Sequence, residues 1–466
     1  MRVYWSRFIC LSLIVCFLGC NPSGLLAAQQ ETGELAKARL LLVEASHLVK
    51  DIPEFQQPSA AANIAGQQTR TADLPDALAT IRLLKETEDQ ALATGIVAWQ
   101  LAHDGNSTQA LALVESTVDG QNKGVAYENL AQLHAQEGDL KGGLQIAHRI
   151  RKDPNRLADT LVRLASKRAK TGDLSGAREV LSDALNVAEE ALKENIGYVT
   201  ILTQIATTQA EIGDTADAFI TLDRFSAFAH QYKSAEGNST FLQQLATAQA
   251  QIGDVVGAQR TIEEIPAGNS DLALMSISQE QAKHGLVVDA LENAARISSP
   301  WFKASALREI AMSRGTHGTL NDALEAIDHI PEPAGRAEAL ATLALEQAEN
   351  ENPAASLTLQ LAWKLATQMA ADAPDDVLGT IAVTRALLGD FAGAQQIVQD
   401  MTKPESRVWP LWNITSFMVR AGHTQEALAL AENQDAAYPK AYALLGTAQG
   451  ILNHLESEEQ ARIGKQ

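Results

Sequence analysis

The chain repeats itself, and the repetition constrains its fold more than any single motif. Residues 245–259 read LATAQAQIGDVVGAQ, and residues 205–219 read IATTQAEIGDTADAF. With Ala258 as an anchor, equivalent small residues stand at Ala77, Ala110, Gly143, Ala177, Ala218, Ala290, Ala323, Ser356, Ala394 and Ala427. The successive spacings are 33, 33, 34, 41, 40, 32, 33, 33, 38 and 33 residues. A chain built at such a period buries its apolar faces between neighbouring copies rather than in one central core. The length of 466 residues therefore does not divide into conventional domains.

Each copy has the same internal grammar. A second small residue lies 12 before the anchor, as at Ala65, Ala98, Ala206, Ala246 and Thr415, and an aliphatic residue precedes it. A Leu three residues earlier still, as at Leu161, Leu202 and Leu242, places these groups on one helical face. Gly stands five before the anchor in nine of the eleven copies, Ala72 and Glu351 being the exceptions. Glycine enters the left-handed region that ends a helix at little cost. Asn106, Asp139, Asp173, Asp214, Asp254 and Asp390 follow that Gly and suit the N-cap of a second helix. Each unit reads as helix, turn, helix. Composition agrees: aromatics are only 5%, and Ala, Leu, Gln and Glu, all good helix formers, dominate.

This frame resembles the tetratricopeptide repeat family. The helix–turn–helix unit, the period, and two small residues 12 apart across a Gly turn all match, over residues 59–440. The resemblance implies an all-α fold, a right-handed superhelical solenoid of about eleven repeats. It departs from the family on the first helix, where Gln68, Gln209, Gln249, Gln281 and Gln347 occupy the usual Tyr position. Three spacings run long, after Ala177, Ala218 and Ser356, and the extra residues read as longer second helices.

Flanking segments complete the organisation. Residues 1–28 read as a leader: Arg2 and Arg7 precede an apolar run from Phe8 to Leu18 that is short for a membrane span. An uncleaved anchor is the alternative to removal; if the leader is removed, two cleavage sites fit. Phe17-Leu18-Gly19-Cys20 resembles a bacterial lipobox, which would place a lipid on Cys20, while Leu26-Ala27-Ala28 fits ordinary signal peptidase. All three cysteines lie in this leader, so neither product has a disulfide framework. The expected location is the periplasm or cell envelope. Residues 29–58 read as an N-terminal helix and linker, and residues 441–466 as a capping helix, with a degenerate second helix and a polar outer face, followed by a tail.

Function is less legible. The formal net charge of −20 argues against nucleic acid as a partner, and against membrane attachment other than through a lipid on Cys20. Losing Arg2 and Arg7 with the leader takes it from −20 to −22. No phosphate loop, zinc-protease motif or nucleophile elbow is present, and the ten His share no ligand spacing, so no metal, cofactor or catalytic residue is expected. The resemblance implies a protein or peptide partner held in the groove lined by first helices. Groove positions fall 15 and 11 before each anchor, and they include Trp99 near one end and Trp412 near the other. Trp99, Trp409 and Trp412 are the candidate anchors for a partner, because Trp buries a large area and keeps one donor. Packing against a neighbouring repeat is their other reading. Arg420, one turn beyond Ser416, is the candidate contact for an anionic group, or a solvated surface cation. A binding scaffold of the envelope is the expected class. A structural lipoprotein subunit and an all-α enzyme acting on cell-wall polymer are its alternatives.

Overall fold

The computed structural model describes residues 33–117, 121–194, 200–231, 235–265, 270–317, 320–369 and 373–463. The expected leader, with Cys20, lies outside the described residues. Among the described residues the chain forms twenty-four α-helices and no strand. Helix α1 spans Gly33–Leu48, and two 3-10 turns at Val49–Asp51 and Glu54–Gln56 lead from it into the repeats. Eleven helix pairs follow among the described residues. They are α2 (Gln57–Arg70) with α3 (Leu74–Ile81), α4 (Thr87–His103) with α5 (Ser107–Ser116), α6 (Gln121–Gln136) with α7 (Leu140–Ala147), and α8 (Pro154–Lys170) with α9 (Leu174–Glu194). Next come α10 (Thr200–Glu211) with α11 (Thr215–Gln231), α12 (Ala235–Gln251) with α13 (Val255–Glu264), α14 (Asp271–Lys283) with α15 (Val287–Arg296), and α16 (Pro300–His317) with α17 (Leu320–Asp328). The last are α18 (Pro333–Glu349) with α19 (Ala355–Met369), α20 (Asp375–Leu387) with α21 (Phe391–Asp400), and α22 (Val408–Arg420) with α23 (Thr424–Glu432). Helix α24 (Ala437–Ile463) closes the chain. The fold is an all-α solenoid of tetratricopeptide-like units. It divides into two compact units: the residues up to Leu133 together with those from Arg385 onward, and His134–Thr384.

The small residues lie where paired helices meet. Ala246 and Ala258 have no exposed surface, and the same holds for Ala206 with Ala218 and for Ala98 with Ala110. A larger side chain at either place would force the helices apart. The turns between them repeat one geometry. Gly253 takes φ 89°, and seven other turn glycines lie between 77° and 93°. The two exceptions take the same conformation without glycine, Ala72 at 60° and Glu351 at 54°. Asp254 then caps α13 by accepting from the Gly257 amide at 2.9 Å, and Asp139, Asp173 and Asp390 cap their helices in the same way. Two expected caps differ. Asn106 makes no side-chain bond to α5. Asp214 spends both oxygens on the Arg178 guanidinium, at 2.6 and 2.7 Å, because a charged bidentate partner outcompetes a backbone amide.

The Gln residues that replace the family's aromatic position have a common role. In each case the Gln Oε1 accepts from a polar side chain on the second helix of its own unit. Thr80 donates to Gln68 at 2.8 Å, Thr221 to Gln209 at 2.8 Å, Thr261 to Gln249 at 2.7 Å, Thr358 to Gln347 at 2.7 Å, and Asn293 to Gln281 at 3.0 Å. A polar bond between the paired helices stands where the family packs a ring. One of these pairs corrects the sequence register. Thr358 is the partner three residues after Ala355, and Ala355 is 1% exposed while Ser356 is exposed. The anchor of that unit is therefore Ala355: its second helix starts one residue early, the Ala355 amide bonding back to Asn352. The three long spacings are helical as far as they are described. Helices α9, α11 and α19 have 21, 17 and 15 residues, against 8 to 10 for the other second helices. Residues 195–197, 232–234 and 370–372 of those segments lie outside the described residues.

Helix α24 differs from the expected first helix with a degenerate second. It is one continuous helix of 27 residues, and in the unit that contains both chain ends it packs against α22, α1 and α2. Residues Ala441 to Ala448 are all buried. Gly446 lets it approach α22 so closely that a Cβ there would sit 2.1 Å from the Trp412 carbonyl oxygen, and a Cβ on Gly450 would sit 2.7 Å from the Val419 Cβ. Thr415 Oγ1 crosses to the Ala443 carbonyl at 3.1 Å, and Lys440 pairs with Glu44 of α1 at 3.4 Å. Two substitutions test these backbone constraints with opposite signs in chemical denaturation. Gly446→Ala is expected to destabilise this unit by about 3 kcal/mol through overpacking. Glu351→Gly is expected to stabilise its unit by about 1 kcal/mol by relieving a left-handed non-glycine residue.

Candidate functional site

The unit that holds both chain ends contains a cavity of about 120 Å³. Its walls come from α2, α4, α22 and α24. Trp99, Trp409, Trp412 and Arg420, which the sequence singles out at opposite ends of the array, all line it. Cys20 lies outside the described residues.

Repeat geometry explains why these helices contribute what they do. Groove position Gly66 plus 33 residues is Trp99, and Ser416 plus 33 is Gln449. One helical turn after each come Arg70, His103, Arg420 and Asn453. The cavity thus collects equivalent positions from two early and two late helices. Gly66 contributes no side chain, and a Cβ there would reach within 3.2 Å of Ile96.

A hydrogen-bonded wall fixes the polar side chains. Arg70 is only 8% exposed, and both terminal nitrogens of its guanidinium are bonded. It donates to Gln67 Oε1 and Asn453 Oδ1 at 2.8 Å each and pairs with Glu456 at 2.7 Å. Pairing is what makes a buried guanidinium tolerable. The Trp412 indole N–H donates to Gln449 Oε1, and its ring meets Tyr442 edge to face at 5.6 Å. Tyr442 is buried and its hydroxyl accepts from Asn63 Nδ2 at 3.0 Å. On the other side Trp99 stacks flat on His103, with centroids 5.3 Å apart and planes 3° from parallel. The Arg420 guanidinium lies 6.0 Å from the centre of the Phe417 ring, and its side chain is exposed.

Sequence reasoning missed Arg70, Gln67, Asn63, Gln449 and Asn453. The signal for Gln449 was present. Continuing the 33-residue step once past Ser416 reaches it, although the unit there has no second helix to mark the frame. Arg70 stands one turn from a groove position, as Arg420 does. The pairing of Arg70 with Glu456 spans 386 residues and has no local signature.

Burial pushes the His103 imidazole below its ordinary value; the Glu456 carboxylate opposes this and the Arg70 cation adds to it. The unfolded chain therefore takes up a proton here before the folded chain does. His103 favours the folded state above about pH 6.5, and that contribution is lost as the pH falls through the lowered value. Thermal unfolding followed between pH 7.5 and 5 is expected to show a smaller acid destabilisation in His103→Gln than in the unaltered chain.

No family model matches this sequence, and no curated protein matches it. Solved structures do. Ton1535 from Thermococcus onnurineus NA1 is 15% identical, the match covering 82% of this chain and 97% of that one, with a TM-score of 0.28. A Rap protein complexed with competence and sporulation factor is 15% identical over 72% of this chain and 99% of that one, with a TM-score of 0.30. The pentatricopeptide repeat protein PPR10 from maize is 13% identical over 96% of this chain and 78% of that one, with a TM-score of 0.22. Likeness at these scores carries no argument about ligand or partner.

Proposed function

We propose that the chain is a non-catalytic scaffold for a protein or peptide partner, and that the cavity between α2, α4, α22 and α24 receives the partner's anchoring side chain. The observation that carries this reading is the convergence of Trp99, Trp409 and Trp412 on one cavity. Three tryptophans within one recess supply large rigid area at little entropic cost, which is the composition of a binding hot spot. The cavity's size suits a side chain: an engineered apolar cavity of about 150 Å³ holds a benzene molecule.

A wall-cleaving enzyme would need an acid and a base flanking its substrate. None of the 15 residues that line the cavity carries a carboxylate, so this recess does not support that alternative. Location is part of the proposal and rests on the leader alone. Arg2, Arg7 and the apolar run support export to the envelope, ending either at lipid-modified Cys20 or after Ala28.

The test is affinity capture from an envelope extract of the source cells, with the processed chain as bait. Trp99→Ala/Trp409→Ala is expected to lose the captured partner while retaining the unfolding midpoint within a few degrees. Equal recovery by both baits would sink the anchoring role. Intact mass of the chain recovered from the same envelope preparation separates a lipidated Cys20 from a Gln29 start, and an unprocessed mass would rule out both cleavage sites.

A further inference from the structure

The polar groups of the cavity are oriented from behind. Gln67 and Asn453 accept from Arg70 through their side-chain oxygens, and Gln449 accepts from the Trp412 indole. Guanidinium and indole N–H groups only donate, so these contacts fix which end of each amide is oxygen. The –NH₂ groups of Gln67, Gln449 and Asn453 are left as donors. Asn63, Gln100 and Asn413 are held the other way. Each donates through its nitrogen, to the Tyr442 hydroxyl, the Asp104 carboxylate and the Trp409 carbonyl, at 3.0, 2.9 and 2.9 Å. Their oxygens are left as acceptors.

Charge adds a sign to this arrangement. Among the described residues, the charged ones that line the cavity are Arg70 and Arg420. Arg70 is closed off by Glu456. Arg420 is exposed and lies near the Phe417 ring, with no carboxylate paired to it among the described residues. A free cation and three amide donors therefore face a recess free of lining carboxylates, in a chain whose net charge is −20.

We propose that the cavity selects an acidic side chain, Asp or Glu, adjacent to an apolar residue of an extended peptide. The carboxylate takes Arg420 and the amide –NH₂ groups. The peptide N–H groups take the oxygens of Asn63, Gln100 and Asn413. The neighbouring apolar residue lies against the tryptophans. A free inorganic anion would leave those three oxygens and the indole faces unused, whereas a peptide uses both sets. This inference rests on the peptide-binding reading above.

The probe is the peptide Ac-Ala-Phe-Glu-Ala-NH₂, titrated calorimetrically into the purified chain beside its Phe-Gln and Phe-Lys counterparts. The Phe-Glu peptide is expected to bind about tenfold more tightly than Phe-Gln, the scale of one charge-assisted contact, and Phe-Lys more weakly than either. Arg420→Gln is expected to bring Phe-Glu down to the Phe-Gln level and leave Phe-Gln unchanged. Being exposed, this substitution is not expected to move the unfolding midpoint. Equal affinity for Phe-Glu and Phe-Gln, a preference that survives Arg420→Gln, or no binding of Phe-Glu at millimolar concentration would each overturn the proposal. Capture from the extract tells the two ideas apart. A partner retained by Arg420→Gln with unchanged affinity but lost by the double tryptophan variant refutes acidic selection and leaves peptide binding standing; a partner retained by both variants removes both.

Discussion

The close approach of α24 to α22 is the constraint on which the candidate site depends. It exists because positions 446 and 450 carry no side chain, so backbone meets backbone at the Trp412 carbonyl. The approach seats Tyr442 beneath Trp412 and Asn63, and it brings Gln449 and Asn453 level with Trp412 and Arg70. Without it Trp409 and Trp412 on α22 would lose the polar wall that Gln449 and Asn453 of α24 supply between them and the early helices. The energetic logic is that of a core: two glycines give up helix propensity, each roughly 1 kcal/mol against Ala, and recover it through the burial that follows.

Inside the repeats a second economy operates. A hydrogen bond between a buried Gln and a Thr or Asn takes the place of an aromatic contact and recurs in at least five units. A ring tolerates small sliding, but an amide must find its partner or leave a buried polar group unsatisfied. The polar version therefore fixes the offset between paired helices more tightly than packing alone. It also explains how a repeat frame with few aromatics holds its register.

The fold was legible because its constraints are local. Small residues 12 apart, a left-handed residue between them and an aliphatic stripe all fall within one unit, and each can be read from neighbours in sequence. The errors were local too. Asn106 and Asp214 had the right chemistry for caps, but chemistry does not say which of two acceptable partners a carboxylate takes, and Arg178 won. Ser356 met the spacing rule while Ala355 met the packing rule, because the turn at Glu351 is one residue shorter. The candidate site was half legible. Trp99, Trp409, Trp412 and Arg420 came from the groove positions or their close neighbours. That they share a cavity did not follow, because periodicity specifies what each unit touches next and is silent about units at opposite ends. Arg70 reads as an ordinary surface cation until Glu456, 386 residues away, is seen beside it.

The junction of the chain ends also has a kinetic meaning. Neighbouring helices meet after closing loops of a few residues, whereas Asn63 and Tyr442 meet across 379. The closure entropy grows only logarithmically, so bringing these ends together costs roughly 2 kcal/mol more than closing a loop one repeat long. Nearest-neighbour packing can therefore proceed along the whole array before the ends engage. A partner seated in the recess would touch early and late helices at once, and so would act as a fastener between stretches of chain far apart in sequence.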